Sequence, residues 1–90
     1  MDRERLRRWL TTDHRTWRWR HPTDPHAYEA VEAGPTGLEW YRWSHRGAGG
    51  GKHDVQPQSY AELEADGPPR DIPEPILAEL RSWIASRTRG

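Results

Sequence analysis

The side chains that could perform acid–base or metal chemistry in this chain are five histidines, one Ser-His pair and a set of carboxylates. Ser44 and His45 are adjacent on a predicted strand, so they point to opposite faces and His45 cannot serve as the base for Ser44. No pair of histidines has the H-E-x-x-H spacing, and there is no cysteine to complete a metal site. We therefore predict no catalytic residue, no metal and no cofactor, hence no enzyme, because an enzyme of this size normally shows a recognisable constellation.

The glycine-rich segment that ends at Lys52 invites comparison with a phosphate-binding loop, in which backbone N–H groups and a lysine hold an anion. A P-loop has four residues between its first glycine and its Gly-Lys pair, and then a serine or threonine. Here three residues separate Gly47 from Gly51, and His53 follows Lys52. The segment is therefore predicted to be a flexible connecting loop.

Two short segments interleave aromatic and basic side chains, namely residues 17–20 (Trp-Arg-Trp-Arg) and 40–43 (Trp-Tyr-Arg-Trp). Proteins that bind single-stranded nucleic acid combine aromatic stacking platforms with a positive groove. The chain as a whole opposes this function, because its net charge is zero and residues 54–80 carry seven carboxylates against one arginine. Binding of single-stranded nucleic acid is therefore the alternative hypothesis and not the favoured one.

Amino-acid composition limits the number of domains, the kind of core and the cellular location that we expect. Ninety residues predict a single small domain over 1–90, with a core that depends on six tryptophans because phenylalanine is absent. There is no run of eighteen apolar residues and no apolar segment after the basic start, so we expect no membrane partner and a cytoplasmic protein. The single lysine among thirteen arginines indicates a GC-rich, bacterial genome.

Apolar spacing predicts the elements of the first half of the chain. Asp2 to Leu10 has the i, i+3, i+4 pattern of a short amphipathic helix, and Arg15 to Arg20 alternates as a strand. Residues 27–33 are compatible with a capped helix or a strand, and the compact turn at 34–37 favours a hairpin. Leu38 to Trp43 is rich in aromatics, which predicts a central strand.

Sequence patterns in the second half of the chain predict two helices. Val55 to Pro57 is interpreted as extended, Ser59 and Glu62 form a capping box for a helix over residues 60–66, and an apolar stripe predicts a longer helix from Ile76 to about Arg87. The predicted fold class is α+β, with an N-terminal helix, a three-stranded antiparallel sheet and two C-terminal helices packed on one sheet face.

These elements place the candidate binding residues at one end of the central strand. Its alternation puts aromatics on both faces, and helices on one face would leave an indole partly exposed near the glycine loop. We predict a non-enzymatic binding or interaction module that uses a protein partner or forms a homodimer. The candidate site residues are Trp40, Tyr41, Arg42, Trp43, His45, Arg46 and Lys52.

Overall fold

The computed structural model describes residues 14–44 and 50–88, in which four strands precede two helices. The strands pair in sequence order as one antiparallel sheet, and the chain is of the α+β class. The elements are β1 (Arg15–Arg20), β2 (Ala27–Gly34), β3 (Gly37–Ser44), β4 (Gly51–Gln58), α1 (Tyr60–Asp66) and α2 (Glu74–Thr88).

The prediction of a three-stranded sheet is wrong, because β4 adds a fourth strand beside β3. Six consecutive residues of β4, from 52 to 57, are exposed, and one of them is Pro57. Such a segment lacks the apolar alternation by which a strand is recognised, and its backbone pairing with β3 supplies the order instead. The N-terminal helix predicted over Asp2 to Leu10 lies outside the described residues.

The hairpin interpretation of residues 27–33 is confirmed, and the helix alternative is wrong. β2 pairs with β3 over eight consecutive positions that close at Gly34 and Gly37. Gly37 has a φ of 157°, and a Cβ placed there would lie 3.0 Å from the carbonyl oxygen of Gln58. The turn therefore requires glycine both for its conformation and for the close approach of β4.

One face of the sheet packs against the two helices, and we call it the helix-packed face. Its core contains Trp40, Val31 and Leu80, which are the largest fully buried side chains among the described residues. Trp17 meets Trp83 of α2 edge to face, with ring centroids 6.0 Å apart. Burial of aromatic and aliphatic side chains from both layers stabilises the fold.

Both helices were predicted close to their observed positions. The Ser59 side chain accepts a hydrogen bond from the Glu62 N–H, the Glu62 side chain accepts one from the Ser59 N–H, and α1 ends before Gly67. α2 begins two residues before the predicted Ile76. No helix within residues 14–44 and 50–88 is both long enough and apolar enough to cross a membrane.

Candidate partner-binding site

The structure distributes the predicted site residues over both faces of the sheet. His45 and Arg46 lie outside the described residues. Trp40 is 0% exposed in the core, where its Nε1 donates a hydrogen bond to Gln58 Oε1 at 3.0 Å. Tyr41 and Trp43 point to the opposite face, which we call the distal face.

Lys52 joins Tyr41 and Trp43 on the distal face because the β3–β4 ladder contains a bulge. Trp40 pairs with Gln56 but Arg42 pairs with His53, so two residues of β4 stand opposite Tyr41 alone. One of them, Asp54, has a φ of 54°, a left-handed conformation that aspartate tolerates better than most residues. The extra residue reverses the alternation, so that Lys52 pairs with Trp43 although Gln58 faces the core.

The Lys52 ammonium is the centre of a charged network. Its Nζ lies 4.5 Å from the centroid of the Tyr41 ring, 3.1 Å from Glu39 Oε1 and 3.5 Å from Glu32 Oε2. Burial lowers the pKa of Lys52, but the hydrogen bond to Glu39 and the charge of Glu32 outweigh burial and leave that pKa above its usual value. Lys52 is therefore a cation held in place by carboxylates, with 40% of its side chain exposed.

Tyr41 lies beneath this network and is only 5% exposed. Burial raises the pKa of its phenol above the usual value, the neighbouring Lys52 opposes the rise, and Glu32 adds to it. Burial therefore favours the neutral phenol over the phenolate at this position. Tyr41 therefore acts as a support under Lys52, and its ring has little surface left for a partner.

Trp43 forms an aromatic platform with Tyr28 of β2. The two residues are directly paired across the strands, and their rings are almost parallel, with centroids 6.2 Å apart and 13° between the planes. Both side chains are partly exposed, and the guanidinium of Arg18 lies 5.3 Å from the Tyr28 ring centroid. The platform thus combines apolar area with a cation at its β1 side.

The platform is fixed at its β4 end by Gly50. This residue has a φ of 67°, and a Cβ built on it would lie 2.9 Å from the Ser44 carbonyl oxygen and 3.2 Å from Cζ2 of Trp43. Only glycine combines that conformation with such close contact to the indole. The backbone at Gly50 therefore packs directly on the edge of the Trp43 ring.

Arg42 is separated from the platform, since its cross-strand partners Glu29 and His53 belong to the helix-packed side. Its Nη2 lies 3.5 Å from Asp54 Oδ2. Nearby, Arg70 Nη1 donates to Glu29 Oε2 at 2.6 Å, and Arg70 also bonds to the Asp54 carbonyl oxygen. These contacts tie the segment after α1 to the end of the sheet.

Sequence reasoning did not select Tyr28, Arg18, Glu32 or Glu39, which complete the distal-face site. Tyr28 and Glu32 belong to the segment whose structure was ambiguous, and its pairing with β3 as a strand sets both residues beside the distal-face side chains of that strand. The cross-strand register then decides that Tyr28 meets Trp43. The alternation of residues 15–20 placed Arg18 on the opposite face from Trp17. This was the one sequence signal that pointed to Arg18 as a residue of the distal face.

Within the described parts of the chain, no group of three or more histidine, aspartate or glutamate side chains is arranged to hold a metal ion. Comparison of the chain with known protein families, characterised proteins and solved structures finds no match.

Proposed function

We propose that this chain is a non-enzymatic interaction module that binds an acidic segment of a protein partner on its distal face. The observation that carries the proposal is the parallel Tyr28–Trp43 pair, flanked by Arg18 on one side and Lys52 on the other. Tryptophan, tyrosine and arginine are the side chains that most often supply the binding energy of protein interfaces. The proposal assigns no catalytic residue, no metal and no cofactor.

The flanking charges define the kind of partner. Arg18 and Arg20 are exposed at the β1 side of the platform, whereas the charge of Lys52 at its β4 side is compensated by Glu32 and Glu39. Carboxylates on a partner would meet cations at the β1 side of the rings, and such complementarity favours correct orientation and fast encounter. A homodimer through this face is the alternative protein partner, and concentration-dependent sedimentation distinguishes it from a heterologous one.

The direct test is capture of partners from lysate with the double variant Trp43→Ala/Lys52→Glu. We expect the parent to retain a specific partner and the double variant to lose it, because the change removes the apolar platform and reverses a cation. Arg81→Glu is the control, since it reverses one exposed cation on α2, away from the distal face. Thermal melting verifies that both variants are folded, and unaltered capture by the folded Trp43→Ala/Lys52→Glu variant would refute the proposal.

A second candidate function is binding of single-stranded nucleic acid, and the same ring pair is the observation that favours it. Two parallel rings on adjacent strands with a guanidinium beside them resemble the stacking platforms of single-strand binders. Zero net charge opposes it. Binding of a fluorescent oligonucleotide should then weaken steeply with added salt and be lost in Trp43→Ala. No binding at low salt would leave only the protein partner.

We also propose that the protein is located in the cytoplasm, in line with a mean hydropathy of −1.18 and 31% charged residues. Microscopy of a fluorescently tagged chain tests that location.

A further inference from the structure

The two edges of the sheet differ in how readily they could accept another strand. Edge strands present unpaired N–H and C=O groups, and proteins block unwanted pairing with bulges, prolines and charges. β4 carries all of these devices, namely the bulge at Asp54, the missing N–H of Pro57 and the charge of Lys52. The β4 edge is therefore poorly suited to pairing.

β1 also carries charges, on Arg15, Arg18 and Arg20, but its backbone is regular by comparison. It pairs with β2 at six consecutive positions without a register shift, and it contains neither proline nor glycine. It is first in the strand order, so among the described residues no strand lies on its other side. Alternate residues of β1 point their N–H and C=O groups away from β2, and they form an edge about 20 Å long without a bulge.

The side chains of β1 specify what a new strand would have to carry. Arg18 and Arg20 are exposed on the distal face, whereas Trp17 and Trp19 belong to the helix-packed face. Trp19 is only partly buried, although its ring meets Trp40 edge to face at 6.4 Å. A strand beside β1 would therefore place every second side chain near a guanidinium and the intervening ones near indole surface.

We infer that the β1 edge accepts an extended peptide in which acidic and apolar side chains alternate, so that the peptide becomes a fifth strand of the sheet. Backbone hydrogen bonds would supply affinity, and the alternating arginine and tryptophan side chains would supply specificity. The inference rests on the proposed role as an interaction module; it shares Arg18 and Arg20 with the distal-face site but adds the backbone of β1 and does not use Trp43. It also specifies a partner conformation that binding to the Trp43 platform does not require.

The charge pattern favours such a peptide over a second copy of the chain. Antiparallel pairing of two β1 strands centred on Arg18 would set that arginine against its own copy and bring Arg20 of both copies onto the same face. Like charges placed directly opposite each other destabilise a strand pair. A carboxylate at the same position would instead meet Arg18 as an opposite charge.

A synthetic peptide tests the inference with the full chain. The probe is a capped, fluorescent heptapeptide of alternating valine and glutamate, compared with two forms that are N-methylated either on all valine amides or on all glutamate amides. A strand added at an edge directs only one of these two sets of N–H groups toward β1. We expect one methylated form to bind about tenfold or more weakly and the other to bind like the parent peptide.

Protein variants locate the peptide on the molecule. Arg20→Glu should weaken binding of the parent peptide about tenfold, whereas Arg81→Glu, the same charge change on α2, should leave it unchanged. Trp43→Ala should retain peptide binding, which separates the edge from the distal-face platform. Absence of peptide binding, equal binding of both methylated forms, or loss of peptide binding in Trp43→Ala would each overturn the inference.

Discussion

The two faces of this sheet use the same residue types in different ways. Trp40 and Tyr41 are neighbours on β3 and are both buried, but Trp40 is enclosed by apolar side chains, whereas Tyr41 lies under a lysine held by two carboxylates. On the helix-packed face, helices supply the covering layer. On the distal face, side chains from neighbouring strands supply the covering layer. The difference shows that one aromatic strand can serve stability on one side and carry a candidate binding site on the other.

The strongest test of this comparison is truncation of one indole on each face. Trp40→Ala should lower the free energy of unfolding by about 3 to 5 kcal/mol, because it opens a cavity in the core and leaves Gln58 without its donor. Trp43→Ala should cost only about 1 to 2 kcal/mol, since its ring is partly exposed, although it loses its contacts with Tyr28 and with the Gly50 backbone. Urea denaturation measures both, and equal costs would remove the distinction between the faces.

The contribution of the helical layer is tested by Trp83→Ala. Trp83 packs edge to face on Trp17 and is 9% exposed, so its truncation should cost about 3 kcal/mol or more, a large part of the stability of a small domain. Val55→Ala, on the exposed edge strand, should change the free energy of unfolding by no more than about 0.5 kcal/mol. If the Trp83 variant melts like the parent, α2 does not contribute to the core as described.

A third, smaller effect concerns the polar bonds beneath the helices. Gln58 accepts from the Trp40 indole and donates to the Gly67 carbonyl oxygen at 3.0 Å, so it links β3, β4 and the end of α1. Gln58→Met should cost about 1 to 3 kcal/mol because it leaves these buried groups unpaired. Gln56→Met on the same strand is exposed and should be nearly neutral in the same denaturation experiment. Similar costs for the two variants would contradict the role of Gln58.

The smallest expected effect appears at alkaline pH and concerns the distal face. Burial raises the pKa of Tyr41, so the folded state favours the protonated phenol, and this stability is fully present below the usual tyrosine pKa of about 10. It is lost as pH rises through the raised pKa, because the unfolded chain then releases the proton more readily. The urea concentration at the unfolding midpoint should therefore decrease as the pH rises above about 10. Tyr41→Phe should show a smaller fall, and an unchanged pH dependence in that variant would contradict the burial of the phenol.

Local sequence signals were sufficient to locate an element wherever that element has its own capping residues or a regular apolar pattern. The Ser59–Glu62 capping box and Gly67 predicted both ends of α1, and the apolar stripe of α2 predicted its course to within about two residues at its start. Clean alternation predicted β1 from Arg15 to Arg20. In these segments the intrinsic preference and the buried surface agree, so that no distant contact is needed to recognise them.

Tertiary structure decided the features that depend on pairing. β4 has no apolar pattern of its own, and it becomes a strand because β3 offers a backbone partner. The bulge at Asp54 is invisible in the sequence, yet it places Lys52 and Gln58 on opposite faces although strict alternation would put them on the same one. The contact between Tyr28 and Trp43 likewise follows from strand register, which residue preferences alone do not determine. The sequence by itself therefore determined β1, α1 and α2 and which aromatics are available, while long-range pairing decided that β4 is a strand and which side chains meet on the distal face.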